Sequence, residues 1–179
     1  VLHDVNKRLL YDIIHLQCRP AMLCSNDAKS CYDRIVHSIA SLALQRLGMP
    51  LAPVQCMLVT IQEFQHHVRT SFGTSSSTMR NESTLPFQGI CQGNGAGPTV
   101  WVAVSAPLLN MMRTAGHGVT FEAPLSKSID SLVGFAFVDD TDIVQGDLTA
   151  VDLSTDQLYE EMQNSINRWE GGLKATGGA

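Results

Sequence analysis

Two adjacent carboxylates, Asp139 and Asp140, interrupt the apolar run Gly134-Phe135-Ala136-Phe137-Val138-Asp139-Asp140-Thr141-Asp142-Ile143-Val144, and no other stretch narrows the possible folds as much. Aromatic and β-branched residues on both sides of an acidic pair predict strand, tight turn, strand. Side chains that follow one another along a strand point to opposite faces, so consecutive aspartates can serve one site only where the chain turns. Asp also favours turns for purely local hydrogen-bonding reasons. The pair therefore gains functional meaning only from what else the chain brings to it.

A second acidic strand end lies far upstream. Ala21-Met22-Leu23-Cys24-Ser25-Asn26-Asp27 predicts a short strand closing on a carboxylate. Before it, Val5, Leu9, Leu10, Ile13 and Ile14 recur at helical spacing over residues 1–16. After it, Ile35, Ile39, Leu42 and Ala43 predict a helix over 32–47, stopped by Gly48 and Pro50. A further helix opens near Pro53 with Val54, Leu58 and Ile61 on one face, followed by a strand around 67–72 and a Ser/Thr-rich surface loop over 73–84. Residues 87–98 carry Gly89, Gly93, Gly95 and Gly97 ahead of an apolar helix over 100–112, bent at Pro107. Such a loop lets backbone approach a ligand closely, yet it matches neither the phosphate loop nor the dinucleotide fingerprint. A strand over 117–121 precedes the acidic hairpin. The last helix starts at Ser154 with Gln157 completing a capping box, buries Leu158, Met162, Ile166, Trp169 and Leu173, and is expected to end at Gly171-Gly172.

With 179 residues, 44% hydrophobic and 16% charged, the chain suits one globular domain or a piece of a larger protein. No leader and no run of about 18 uncharged apolar residues is present, so neither secretion nor a membrane span is expected, and the compartment is expected to be intracellular, nuclear or cytoplasmic. The five cysteines form no C-x-x-C pair, which predicts reduced, mostly buried thiols. The formal charge of −5 runs against a nucleic-acid binder, whose affinity comes from neutralised phosphates. Any such role has to borrow positive charge from segments outside this sequence, which begins without Met and is expected to be a fragment.

Asp27, Asp139 and Asp140 at neighbouring strand ends would repel one another, and a divalent cation resolves that repulsion. Oxygen-only ligands favour Mg²⁺, with Mn²⁺ as a substitute. Two such ions about 3.5–4 Å apart suit in-line phosphoryl displacement, so nucleotidyl transfer is the reaction that fits.

These residues carry a resemblance. Asp27-Ala28-Lys29-Ser30-Cys31-Tyr32-Asp33 resembles motif A of reverse transcriptases, residues 87–98 around Gln92-Gly93 resemble motif B, and Phe137-Val138-Asp139-Asp140 is similar to motif C. Trp169-Glu170-Gly171-Gly172-Leu173-Lys174 resembles the start of motif D. The match is nearest to enzymes of non-LTR retrotransposons. It implies a partial reverse transcriptase domain over 1–179, with motif A around 23–33, B around 87–98, C around 134–144 and D beginning around 166–174. The implied fold is α+β, a polymerase palm with a ferredoxin-like antiparallel sheet and helices packed on one face, lacking most of the fingers and thumb and inactive in isolation.

The resemblance further implies that Asp27 and Asp139 ligate two Mg²⁺ ions with help from the Ala28 carbonyl, Asp140 being the supporting acid and also counted among the metal residues. Tyr32 would be the steric gate against a 2′-hydroxyl, and Gln92 and Gly93 would contact the incoming nucleotide and templating pair. Partners would be an RNA template, a DNA primer and dNTPs. Asp33 and Asp142 are expected to be solvated or capping, His66-His67 half-exposed without a metal, and Trp101 and Trp169 core. The alternatives are a viral RNA-dependent RNA polymerase palm and a decayed, non-catalytic copy. Asn94-Gly95 departs from the usual Ser/Cys-Pro after Gln92-Gly93.

Overall fold

The computed structural model describes residues 2–28, 30–82, 86–123, 125–137, 140–149 and 153–177, without the side chains of Leu2 and His3. In chain order the elements are α1 (Leu2–Gln17), β1 (Ala21–Asp27), a 3₁₀ turn (Cys31–Arg34), α2 (His37–Arg46), α3 (Leu51–Gln62), β2 (Arg69–Thr70), β3 (Gly73–Thr74), α4 (Gly97–Thr114), β4 (Val119–Glu122), β5 (Ile129–Leu132), β6 (Gly134–Phe137), β7 (Asp140–Asp147) and α5 (Thr155–Ala175). They form two compact units, one from Val1–Lys29 with Ser105–Ala179, the other from Ser30–Val104. Among the described residues no helix is long and apolar enough to cross a membrane.

The first unit is built on β7. β1 runs antiparallel to it from Ala21 opposite Gly146 to Asp27 opposite Asp140. β6 pairs antiparallel with its first half, from Gly134 opposite Ile143 to Phe137 opposite Asp140. β4 pairs parallel to its end, Val119 with Gly146 and Thr120 with Asp147, and antiparallel to β5. The sheet is thus mixed, a correction to the antiparallel expectation. β5 and β6 follow each other in one direction with only Val133 between them. β6 opposes β7, so β4, which opposes β5, must run with β7. Gly134 is required at that junction, because a Cβ there would collide with the Asp142 carbonyl oxygen.

Helices cover both faces of the sheet rather than one. Residues 142 and 145 of an extended strand face opposite ways. Lys7 of α1 bonds Asp142, whereas Ser165 of α5 bonds Gln145. On the Asp142 face, Leu10 packs with Val119, Phe135, Val144 and Leu148, and Ile13, Ile14 and Leu23 close around them. The other face receives α5. Burial on both sides explains why Thr141 to Gly146 are all buried although their polarity does not alternate. Val5 and Leu9 stay exposed, so the buried stripe of α1 is narrower than its periodicity suggests.

In the second unit the expected helix over 32–47 is broken. Ile90 N–H donates to the Tyr32 carbonyl and Gly89 N–H to the Ile35 carbonyl, each at 2.8 Å. Those are carbonyls a continuous helix would give to residues 36 and 39. The chain extends at Ile35 and Val36, and α2 buries His37, Ala40 and Leu44, leaving Leu42 exposed. α3 buries Val54, Leu58 and Ile61 as expected. The strand expected over 67–72 is reduced to β2, which pairs with β3 inside the stretch expected to be loop.

Trp101 and Trp169 are core, at 5% and 0% exposure. The capping box at Ser154 is formed with Gln157. Gly171 and Gly172 lie within α5 instead of ending it, since Gly172 is buried with a Cβ position 3.1 Å from Leu108 Cδ2. All five cysteines are free thiols, but only Cys31 is buried, Cys18 and Cys56 being exposed.

Candidate functional site

Two of the expected acids meet. Asp27 is the last residue of β1 and Asp140 the first of β7, directly opposite in the antiparallel register, and both are exposed. Directly opposed residues place their Cβ atoms about 4.5–5.5 Å apart on one face, and like charges there are destabilising. Among the described residues neither carboxylate has a cationic partner. Val138 and Asp139, which follow β6 in the sequence, lie outside the described residues, as does Lys29. Among the described residues no three His, Cys, Asp or Glu side chains gather at metal-binding distance. Ala28 follows Asp27 in coil and is half-buried.

One pair further from the strand ends, the electrostatics are different. Asp142 is 6% exposed and accepts hydrogen bonds from Lys7 Nζ and Ser25 Oγ. Ser25 is its direct cross-strand neighbour. Asp142 is therefore neither solvated nor a cap, contrary to expectation, but the buried acceptor that ties α1 and β1 to β7. Its hydrogen bond and charge raise the pKa of Lys7, against a smaller desolvation effect. Alternation along the strand puts Asp142 on the Asp140 face, and that signal was present in the residues. The distant Lys7 was not readable from spacing.

Tyr32, Gln92 and Gly93 belong to the second unit. Tyr32 sits on the 3₁₀ turn, half-buried, with its ring near the start of α4. A Cβ on Gly97 would lie 3.5 Å from Tyr32 Cδ1. Gln92 and Gly93 are exposed in a turn, Gly93 at φ +90°. Just before them, Gly89 at φ +84° presses on the Asp33 backbone so closely that a Cβ would sit 2.6 Å from the Asp33 carbonyl oxygen. His37, missed by sequence reasoning, holds this loop with Nε2 2.6 Å from the Gly89 carbonyl oxygen. Cys91 is half-buried, and burial pushes its thiol pKa up, helped by Asp33, which disfavours a nucleophilic role. Asp33 itself is exposed, as is His67, while His66 is half-buried.

A polar chain crosses the other end of the first unit. Gln145 Oε1 accepts from Gly118 N–H at 2.9 Å and from Ser165 Oγ at 3.0 Å, and Gln145 Nε2 donates to Glu161. With the Ser165 proton so used, its oxygen accepts from His117 Nδ1 at 2.8 Å. Burial lowers the His117 pKa, Arg168 adding to the effect and Glu161 opposing it. His117, Gly118, Gln145 and Glu161 line a cavity of about 330 Å³.

No protein-family model matches this sequence, and comparison with curated proteins finds no match.

Proposed function

We propose that the chain is a polymerase palm that carries out template-directed nucleotidyl transfer, as the RNA-directed DNA polymerase of a retroelement. The observation that carries the reading is the opposition of Asp27 and Asp140. Two exposed carboxylates directly opposite each other across a strand pair repel one another, and a bound divalent cation relieves that repulsion. Their donor set, oxygen only and open to solvent, fits Mg²⁺. Asp27, Asp139 and the Ala28 carbonyl would hold the ions, with Asp140 in support. Bound there, Mg²⁺ would neutralise phosphate charge and favour the ionised primer hydroxyl.

In the reaction the primer 3′-hydroxyl attacks the α-phosphorus of a dNTP, a phosphodiester forms, and pyrophosphate leaves. This chain's residues contribute positioning. The Lys7–Asp142–Ser25 cluster fixes the β1–β7 register beside the acids. Tyr32 would stand under the sugar and reject a 2′-hydroxyl, and Gln92-Gly93 would offer an open backbone to the base pair. RNA template, DNA primer and dNTPs are the partners this reading implies.

The test is primer extension on an RNA template by the full-length gene product. Asp27→Asn and Asp140→Asn should each lower incorporation on the order of a hundredfold or more, and Tyr32→Val should admit rNTPs. Preference for rNTPs in the wild type would favour a viral RNA polymerase instead. No incorporation by wild type would favour a non-catalytic copy.

A further inference from the structure

We infer that His37 is a positioning residue: its buried imidazole clamps the glycine-rich loop onto the segment carrying Tyr32, and through that clamp it sets which sugar the site accepts. This rests on the polymerase reading and adds to it a residue that touches no substrate.

His37 opens α2 at 5% exposure. The Gly89 carbonyl can only accept, so His37 Nε2, 2.6 Å away, carries the hydrogen. The Gln62 amide nitrogen can only donate, so Nδ1 accepts from it at 3.0 Å. One tautomer, with the hydrogen on Nε2, satisfies both contacts at once. The main chain of the same residue is also engaged, its N–H donating to Gln88 Oε1 at 2.8 Å. That bond supplies a partner at the α2 N-terminus, where Val36 offers no capping side chain.

Gln88 and Gly89 are thus held from two sides by one residue. The next links lead straight to the candidate gate. Gly89 N–H binds the Ile35 carbonyl and Ile90 N–H the Tyr32 carbonyl. Gly97 lies beside the Tyr32 ring, and a Cβ added there would only just fit against it. A ring that works by denying space to one hydroxyl depends on placement to a fraction of an ångström. Releasing the loop would loosen the Tyr32 backbone, and Gln92-Gly93 three residues further on would move with it.

The test compares wild type, His37→Phe, His37→Gln and Gln62→Leu in the full-length gene product. His37→Phe keeps ring bulk but removes the donor, and His37→Gln returns an N–H near the Nε2 position. Kinetics with dNTPs and with rNTPs should show the dNTP preference in kcat/KM falling about tenfold or more in His37→Phe. It should recover to within about threefold of wild type in His37→Gln. Amide exchange at Gly89 and Ile90 should quicken in His37→Phe and, to a smaller extent, in Gln62→Leu. Gln62→Leu serves in its place if His37→Phe does not fold, and should then lose part of the preference.

A histidine that only filled the core would lower stability and leave sugar preference unchanged, and that result overturns the inference. Unchanged exchange at Gly89 and Ile90 overturns it as well. A wild type that incorporates no nucleotide while its Gly89 and Ile90 amides stay protected overturns the polymerase reading itself, and with it the assignment of sugar selection to His37.

Discussion

The carboxylates of this chain divide by what neutralises them. Asp142 is buried and has Lys7, whereas Asp27 and Asp140 are exposed and opposed. Breaking a buried pair leaves a charge without compensation. Lys7 keeps about a quarter of its side chain in solvent, at 27%, so Lys7→Met should cost about 2–3 kcal/mol, less than for a fully buried pair. Adding Asp142→Asn should recover most of that loss in urea unfolding, and additive effects of the two changes would contradict the pairing. His117 gives a pH dependence of known sign. Its pKa is lowered by burial first and by Arg168 second, against Glu161, and Ser165 and Gln145 complete its surroundings. The unfolded chain therefore binds more protons as pH falls through the ordinary histidine range near 6.5. The stabilisation is present above that range and lost below it. A His117→Gln variant should melt with a shallower acid decline between about pH 8 and pH 5 than wild type, and equal slopes would contradict this.

At the scale of elements, glycines separate close approach from mere tolerance. Gly171 lies inside α5, exposed, with open space around its Cβ position, so Gly171→Ala should stabilise by about 0.5–1 kcal/mol. Gly172→Ala should gain less, because Leu108 and Met111 must give way. Gly134→Ala should cost about 1–3 kcal/mol in the same thermal unfolding series, since its obstacle is backbone rather than a flexible side chain. This pair of glycines also shows why the end of α5 was misread: Gly-Gly is a stop signal locally, and only Leu108 and Met111, distant in sequence, reveal the packing reason for Gly172. Periodicity located β1, α3 and the capped start of α5 well, because each depends on its own residues. It misjudged the 3₁₀ turn and α2, where the loop at Gly89 takes carbonyls a helix would have used. The parallel β4–β7 pairing and the second covered face follow from topology and leave no local pattern. Of the candidate site, Asp27 and Asp140 were legible as strand ends; Lys7 and His37 were not, since each acts through a partner far away in the chain.

At the scale of the molecule, the first unit carries Asp27 and Asp140 and the second carries Tyr32, Gln92 and Gly93. The proposed reaction stands or falls with the first unit, whose acids have to bind a divalent cation. The direct measurement is the melting temperature of the wild-type chain and of Asp27→Asn across a Mg²⁺ titration, with Mn²⁺ in parallel. A cation that binds only the folded state stabilises it by about 2.7 kcal/mol at a hundredfold excess over Kd. For a chain of 179 residues, that is about 5–10 °C. The prediction is an upward shift that grows with the logarithm of cation concentration and reaches that size at a hundredfold excess in wild type, and its loss in Asp27→Asn; a wild-type curve that does not move, or a variant that moves equally, would contradict the metal site.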